Sequence, residues 1–181
     1  GRTNLEALCT RFPVKRVYAY DISARVCQRY CEEMAARLGV EALPVTDPRA
    51  AVVDCDLVVT AGPIRKKALA TIQPGWLKPG AFASSVDFGS CWSLEALREI
   101  DLLTTDDVHQ FNVYRGLGYF EDFPQPYTGL AELTGGSQPG RENDRQRALA
   151  INLGLALEDL AVAPTIYRLA REKGLGTPLS L

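Results

Sequence analysis

The sequence predicts an α/β protein built on a doubly wound parallel sheet, with a helical C-terminal extension. Strand-length apolar runs alternate with helix-patterned segments from residue 17 to residue 105, the rhythm of a parallel sheet covered by crossover helices. Residues 57–61 are apolar or β-branched throughout, as expected of a strand covered on both faces. Gly62-Pro63, Pro74-Gly75 and Lys78-Pro79-Gly80 place turns between these runs.

In chain order, residues 2–12 carry Leu5, Leu8, Cys9 and Phe12 at helical spacing, and Pro13 ends that helix. Residues 17–20 read as a strand. Ser23 then caps a helix whose apolar stripe is Val26, Cys27, Tyr30, Met34 and Leu38, with Gly39 as its left-handed stop. Residues 40–45 make a second strand, and Asp47-Pro48 opens a short helix to residue 53. After the strand at 57–61, a weak helix over 68–72 precedes a strand at 81–86. Ser93 caps a helix to residue 100, residues 102–105 make a fifth strand, and 108–117 a helix. Residues 145–162 predict the longest amphipathic helix, with Leu149, Leu153, Leu157 and Leu160 along one face. Pro164 kinks it or opens another helix ending at Gly174. The expected division is a sheet domain over 1–140 and C-terminal helices over 141–181.

With 181 residues and 46% hydrophobic content, the chain suffices for one buried core and an appendage. A net charge of −2 gives no basic field for nucleic acid or anionic lipid, and Arg65-Lys66-Lys67 is the one small basic cluster. No apolar run approaches the roughly 20 residues of a membrane helix, and nothing resembles a signal peptide. A cytoplasmic protein without nucleic-acid or membrane partners is the expectation. The five cysteines read as free thiols, and His109 as the only histidine excludes a multi-histidine zinc site, so no metal is expected.

The stretch Val17-Tyr-Ala-Tyr-Asp21 ends an apolar strand on a carboxylate, about 20 residues beyond Gly1. In a nucleotide-binding βαβ unit that spacing separates the phosphate-loop glycines from an acid that binds the adenosine ribose. Further segments carry a resemblance: Gly1-Arg-Thr-Asn-Leu-Glu-Ala-Leu8, Leu57-Val-Val-Thr-Ala61, Trp76-Leu-Lys-Pro-Gly80, Gly154-Leu-Ala-Leu-Glu-Asp159 and Lys173-Gly-Leu-Gly-Thr177. Together, and in this order, they resemble the ornithine cyclodeaminase and μ-crystallin family of NAD(P)-dependent proteins. The resemblance implies a Rossmann domain. It likens Gly1 to the last glycine of a Gly-x-Gly-x-x-Gly loop, so the expectation is a C-terminal part of a larger enzyme. Such a part lacks its first strand and the substrate-binding half, through which the parent is expected to pair as a homodimer, and alone it is expected to be inactive and to bind cofactor poorly.

The resemblance and the strand-end reading together nominate cofactor contacts at Gly1 and Arg2, at Asp21 for the ribose, and at Thr60, Ala61 and Gly62 beside the dinucleotide. Ser85, Val86 and Asn152 are nominated near the nicotinamide. The Asp21 carboxylate disfavours a 2′-phosphate, so NAD is expected over NADP, although Arg25 is close enough in sequence to help a phosphate. Relatives follow the strand with Gly-Gly-Asp and then Pro-Gly-Lys. Here Asp87-Phe88-Gly89 puts Gly89 at the acid and Ser93 at the lysine. Asp87, two residues earlier, is the candidate catalytic substitute. The expected activity is hydride transfer at a carbon bearing nitrogen, on an amino acid or cyclic imine. Ornithine cyclodeamination and non-catalytic NAD(P)H binding are the alternatives.

Overall fold

The structure, a computed structural model, describes residues 1–179. Two parallel sheets share the chain. The smaller pairs β1 (Arg16–Ala19) with β2 (Glu41–Pro44), flanked by α1 (Arg2–Arg11) and α2 (Ala24–Leu38). The larger contains β3 (Leu57–Thr60), β4 (Phe82–Ser85), β5 (Leu102–Thr105), β6 (Thr128–Gly129) and β7 (Ala148–Ile151), in the order β3-β4-β7-β5-β6. Between its strands run α3 (Leu94–Leu97), α4 (Val108–Gly116) and α5 (Leu130–Thr134); α6 (Ala156–Glu172) follows β7. The two sheets are not hydrogen-bonded to each other, so β1 and β3 each have a strand partner on one side only.

Local chemistry explains most boundaries. Ser23 Oγ accepts from the Val26 amide to open α2, and Gly39 closes it at φ 67°. Asp47 and Ser93 cap the 3₁₀ turn Pro48–Ala51 and α3 in the same way. The large core packs Trp92, Phe111, Leu97, Leu149 and Ile151 between the sheet and its helices.

Two expectations are corrected. Residues 68–72 are not helical, because their backbone pairs with the 90–93 segment instead. The Leu69 amide donates to the Ser90 carbonyl at 2.7 Å, Ile72 to Cys91 at 2.7 Å, and Ser93 to Ile72 at 3.0 Å. The helix expected from residue 145 is interrupted as well: Ala148–Ile151 is the central strand of the large sheet, buried at all four positions. Leu149 and Leu153 are four apart by coincidence, and the helix begins only at Ala156. The sheet therefore continues past the expected boundary at 140, and only α6 extends from it. Pro164 lies inside α6, which continues through it.

The strand register lines up the carboxyl ends of the large sheet. Thr60 stands opposite Ser85, Ser85 opposite Ile151, and Ile151 opposite Thr105. The residues just beyond this row, 61, 86, 152 and 106, therefore emerge along one edge.

Candidate active site

Along that edge lies a cavity of about 430 Å³. Ser84 and Val86 from the end of β4, Asn152 from the end of β7, Asn4 from α1, Ile64 from the loop after β3, and Glu158 from α6 are among its walls. It brings together two of the nominated residues, Val86 and Asn152. Asn152 leaves β7 instead of riding on a helix. Its Nδ2 donates to Ser84 Oγ at 2.9 Å and its backbone amide to the Ser85 carbonyl at 2.8 Å. Its Oδ1 has no partner among the described residues.

Asp106, which sequence reasoning passed over, holds the wall that carries Asn152. Its Oδ2 accepts from the amides of Leu153 at 2.8 Å and Gly154 at 2.7 Å, while Oδ1 accepts from Thr105 Oγ1 at 3.1 Å. The Thr105 hydroxyl also reaches the Ile151 carbonyl at 2.9 Å, and Gln110 donates to the Gly154 carbonyl at 3.0 Å. Gly154 sits at φ 83°, which suits glycine. A buried acid at a strand end beside an Asp-Asp pair was the available signal.

Of the remaining nominees on the large sheet, Thr60, Ser85 and Asp87 turn inward, whereas Ala61 and Gly62 are exposed but do not line the cavity. Asp87 is completely buried. Its Oδ1 accepts from Thr60 Oγ1 at 2.9 Å and Ser85 Oγ at 2.5 Å, and its Oδ2 from the Gly62 amide at 3.4 Å. Ser85 is likewise fully buried, and its Oγ accepts from the Gly89 amide at 2.8 Å. These are corrections: Asp87 ties the ends of β3 and β4 together and does not present an acid to the cavity, and Ser84, not Ser85, lines that cavity. Strand alternation accounts for the second, since 84 and 86 share a face that 85 does not. Burial, with the Asp87 carboxylate as hydrogen-bond partner, pushes the Cys91 thiol up to about 12. Gly62 is small for this network: a Cβ there would come within 3.3 Å of Cys91 Sγ. Ala61 is exposed beside it and does not line the cavity.

An acid at Gly89 would be strained. Gly89 has φ 67°, and a Cβ would lie 2.5 Å from the Phe123 ring. Phe88 before it is also left-handed at φ 56°, locked by edge-on packing on Tyr114 at 5.0 Å. The departure from Gly-Gly-Asp is thus built into the turn.

On the small sheet, Asp21 follows β1 at its carboxyl end and is exposed; Oδ1 accepts from the Ser23 amide at 2.8 Å. Gly1 is exposed at the N-cap of α1. Arg2 is engaged by α2. Its Nε donates to Glu33 Oε2 at 2.7 Å, and its guanidinium lies 5.9 Å from the Tyr30 ring centre, so α2 already neutralises it.

The cavity walls suit one face of a nicotinamide. Ile64, Val86 and Leu153 offer apolar contact, and Ser84 and Asn152 offer polar contact to a carboxamide. Comparison with known proteins decides the lineage. The model of the ornithine cyclodeaminase/mu-crystallin family matches residues 1–174. The chain belongs to this family. A nodulation efficiency protein, NfeD, of Rhizobium meliloti is 28% identical over 182 residues, covering 99% of this chain and 55% of that protein. The Δ1-pyrroline-2-carboxylate reductase of Thermococcus litoralis, solved with NADH and L-proline, superposes with a TM-score of 0.80 at 27% identity, over 98% of this chain and 57% of that one. An archaeal alanine dehydrogenase dimer with bound NAD gives 0.78 at 25%, over 98% and 56%. The fold is Rossmann-like, and the chain spans little more than half the length of these relatives. No helix of the described residues is long and apolar enough to cross a membrane. Among the described residues no group of three His, Cys, Asp or Glu side chains is placed to hold a metal ion.

Proposed function

We propose that this chain is the dinucleotide-binding part of an NAD(P)-dependent oxidoreductase acting on an amino acid or cyclic imine. The observation that carries the reading is the cavity where β4 and β7 end, with Val86 and Asn152 in its walls. Ligands of open α/β sheets bind at that edge. The nicotinamide, when bound, supplies hydride acceptance and donation. The chain's own residues orient it: Val86 and Ile64 against the ring, and Asn152 Oδ1 as acceptor for the carboxamide. Asp21 takes the adenosine ribose through its second carboxylate oxygen and favours NAD over NADP by charge. The amides at the start of α1, next to Gly1, approach the diphosphate. The unpaired edges of β1 and β3 are where a further parallel strand would join the two sheets. A homodimer, the state of the archaeal alanine dehydrogenase, belongs to the same proposal.

The burial of Asp87 and the closed position at Gly89 give specific support to a second reading, nucleotide binding without turnover, and weaken ornithine cyclodeamination. Saturation-transfer NMR of NAD and NADP with the chain tests the first claim. Transfer to the nicotinamide protons is expected, weak in affinity, stronger for NAD, and reduced by Asn152→Leu. No transfer from either dinucleotide at millimolar concentration sinks the reading. Ketimine reduction and ammonia release from ornithine, assayed beside binding, separate net reduction, cyclodeamination and mere binding.

A further inference from the structure

The acids near the carboxyl edge of the large sheet differ in what their oxygens do. Asp87 is buried and its oxygens are occupied by Thr60, Ser85 and Gly62. Asp106 is buried and holds the Leu153 and Gly154 amides. Glu158 alone among the charged residues lines the cavity. It sits in the first turn of α6, is exposed, and enters no ion pair among the described residues. The polar atoms around it in the cavity walls are neutral ones, from Asn4, Ser84 and Asn152.

A carboxylate with no partner, in a cavity whose other walls are apolar or neutral, favours one kind of visitor: a cationic group carrying N–H donors. We infer that Glu158 is the specificity-determining residue of this cavity, receiving the ammonium or iminium nitrogen of an amino acid or cyclic imine. This inference rests on the proposed function for the identity of the cavity. Glu158 orients the nitrogen-bearing carbon toward the nicotinamide face that Val86 and Asn152 leave open, and the contact is a charge-assisted hydrogen bond. The residue was hidden in sequence because it fell inside the amphipathic helix expected over 145–162, where an acid on the polar face calls for no ligand.

The test uses the 181-residue chain, its E158Q variant, and two probes: L-proline, with a charged nitrogen, and N-acetyl-L-proline, whose nitrogen is neutral. Binding is read by NMR shifts, with and without NADH. The chain is expected to bind L-proline at least about tenfold more tightly than N-acetyl-L-proline, and E158Q to lose about tenfold for L-proline only. The Glu158 side chain makes no hydrogen bond or ion pair among the described residues whose loss would unfold the chain, so equal melting temperatures are expected. Equal affinity of L-proline for both chains overturns the inference, as does absence of L-proline binding to the parent chain. Loss of the NADH signal, with the L-proline preference and its dependence on Glu158 intact, overturns the dinucleotide reading and leaves the inference standing.

Discussion

The two sheets use similar residues to different ends. Each strand of the small sheet has one partner, and every β1 residue is exposed or only partly buried. In the large sheet, β7 has a strand on each side and all four of its residues are buried. Val17 and Leu149 would rank alike by hydrophobicity. The number of neighbouring strands and helices, not residue type, decides which becomes core. The same division runs through the candidate site. Gly1, Arg2 and Asp21 stand exposed around the small sheet, whereas Val86 and Asn152 are gathered at the edge of the large one.

The sharpest way to break this contrast is a pair of truncations. Leu149→Ala empties a fully buried position in the central strand and should destabilise by about 2–5 kcal/mol, read from urea midpoints. Val17→Ala, in β1, should change stability by less than about 1 kcal/mol. Equal effects would mean that the small sheet is packed as tightly as the large. Next in size is Gly89→Asp, which installs the acid expected from the family. The left-handed backbone and the Phe123 ring strain it, so a loss of about 2–4 kcal/mol is expected, with no gain of turnover in ketimine or ornithine assays. Asp106→Ala should cost about 1–3 kcal/mol by leaving the Leu153 and Gly154 amides unpaired. Hydrogen exchange at those two amides should accelerate more than elsewhere in the sheet. Asp21→Ala, its counterpart on the small sheet, should stay within about 0.5 kcal/mol in stability while weakening NAD binding.

Much of this was legible in the sequence. Ser23, Asp47 and Ser93 announced their caps, Gly39 its helix stop, and the alternation of apolar runs the parallel sheet. What was not legible shares a cause. Ala148–Ile151 is a strand because two neighbours pair with it, and nothing local says so: its alanines and leucine suit a helix equally well. Asp87 looked catalytic because an extended backbone would put it on the same side as residue 89, where relatives carry the acid, but Phe88 and Gly89 are left-handed. Its real partners, Thr60 and Gly62, lie about 25 residues away and become adjacent only through strand pairing. Ser84 and Ser85 differ only in which face of β4 they occupy, and that is fixed by register.

The thiols give the finest comparison. Burial raises Cys31, on α2, to about 11 and Cys91, beside Asp87, to about 12, both above the ordinary thiol value of about 9. Unfolding returns each to the ordinary range, so the folded chain holds two protons that the unfolded chain releases in alkali. The stability they represent is fully present below about pH 9 and falls as pH rises through about 11 for Cys31 and about 12 for Cys91. Urea midpoints should accordingly decline between pH 8 and pH 10.5, and less so in Cys31→Ala after correction for its lost packing. At pH 8 both thiols stay protonated in the closed state, so neither should react quickly with a disulfide reagent. Where labelling does occur it must follow local opening, and opening is easier where strands have one partner than where they have two. Cys31 should therefore label before Cys91, and labelling in the reverse order would show that the small sheet, despite its exposed strands, is the more firmly closed of the two.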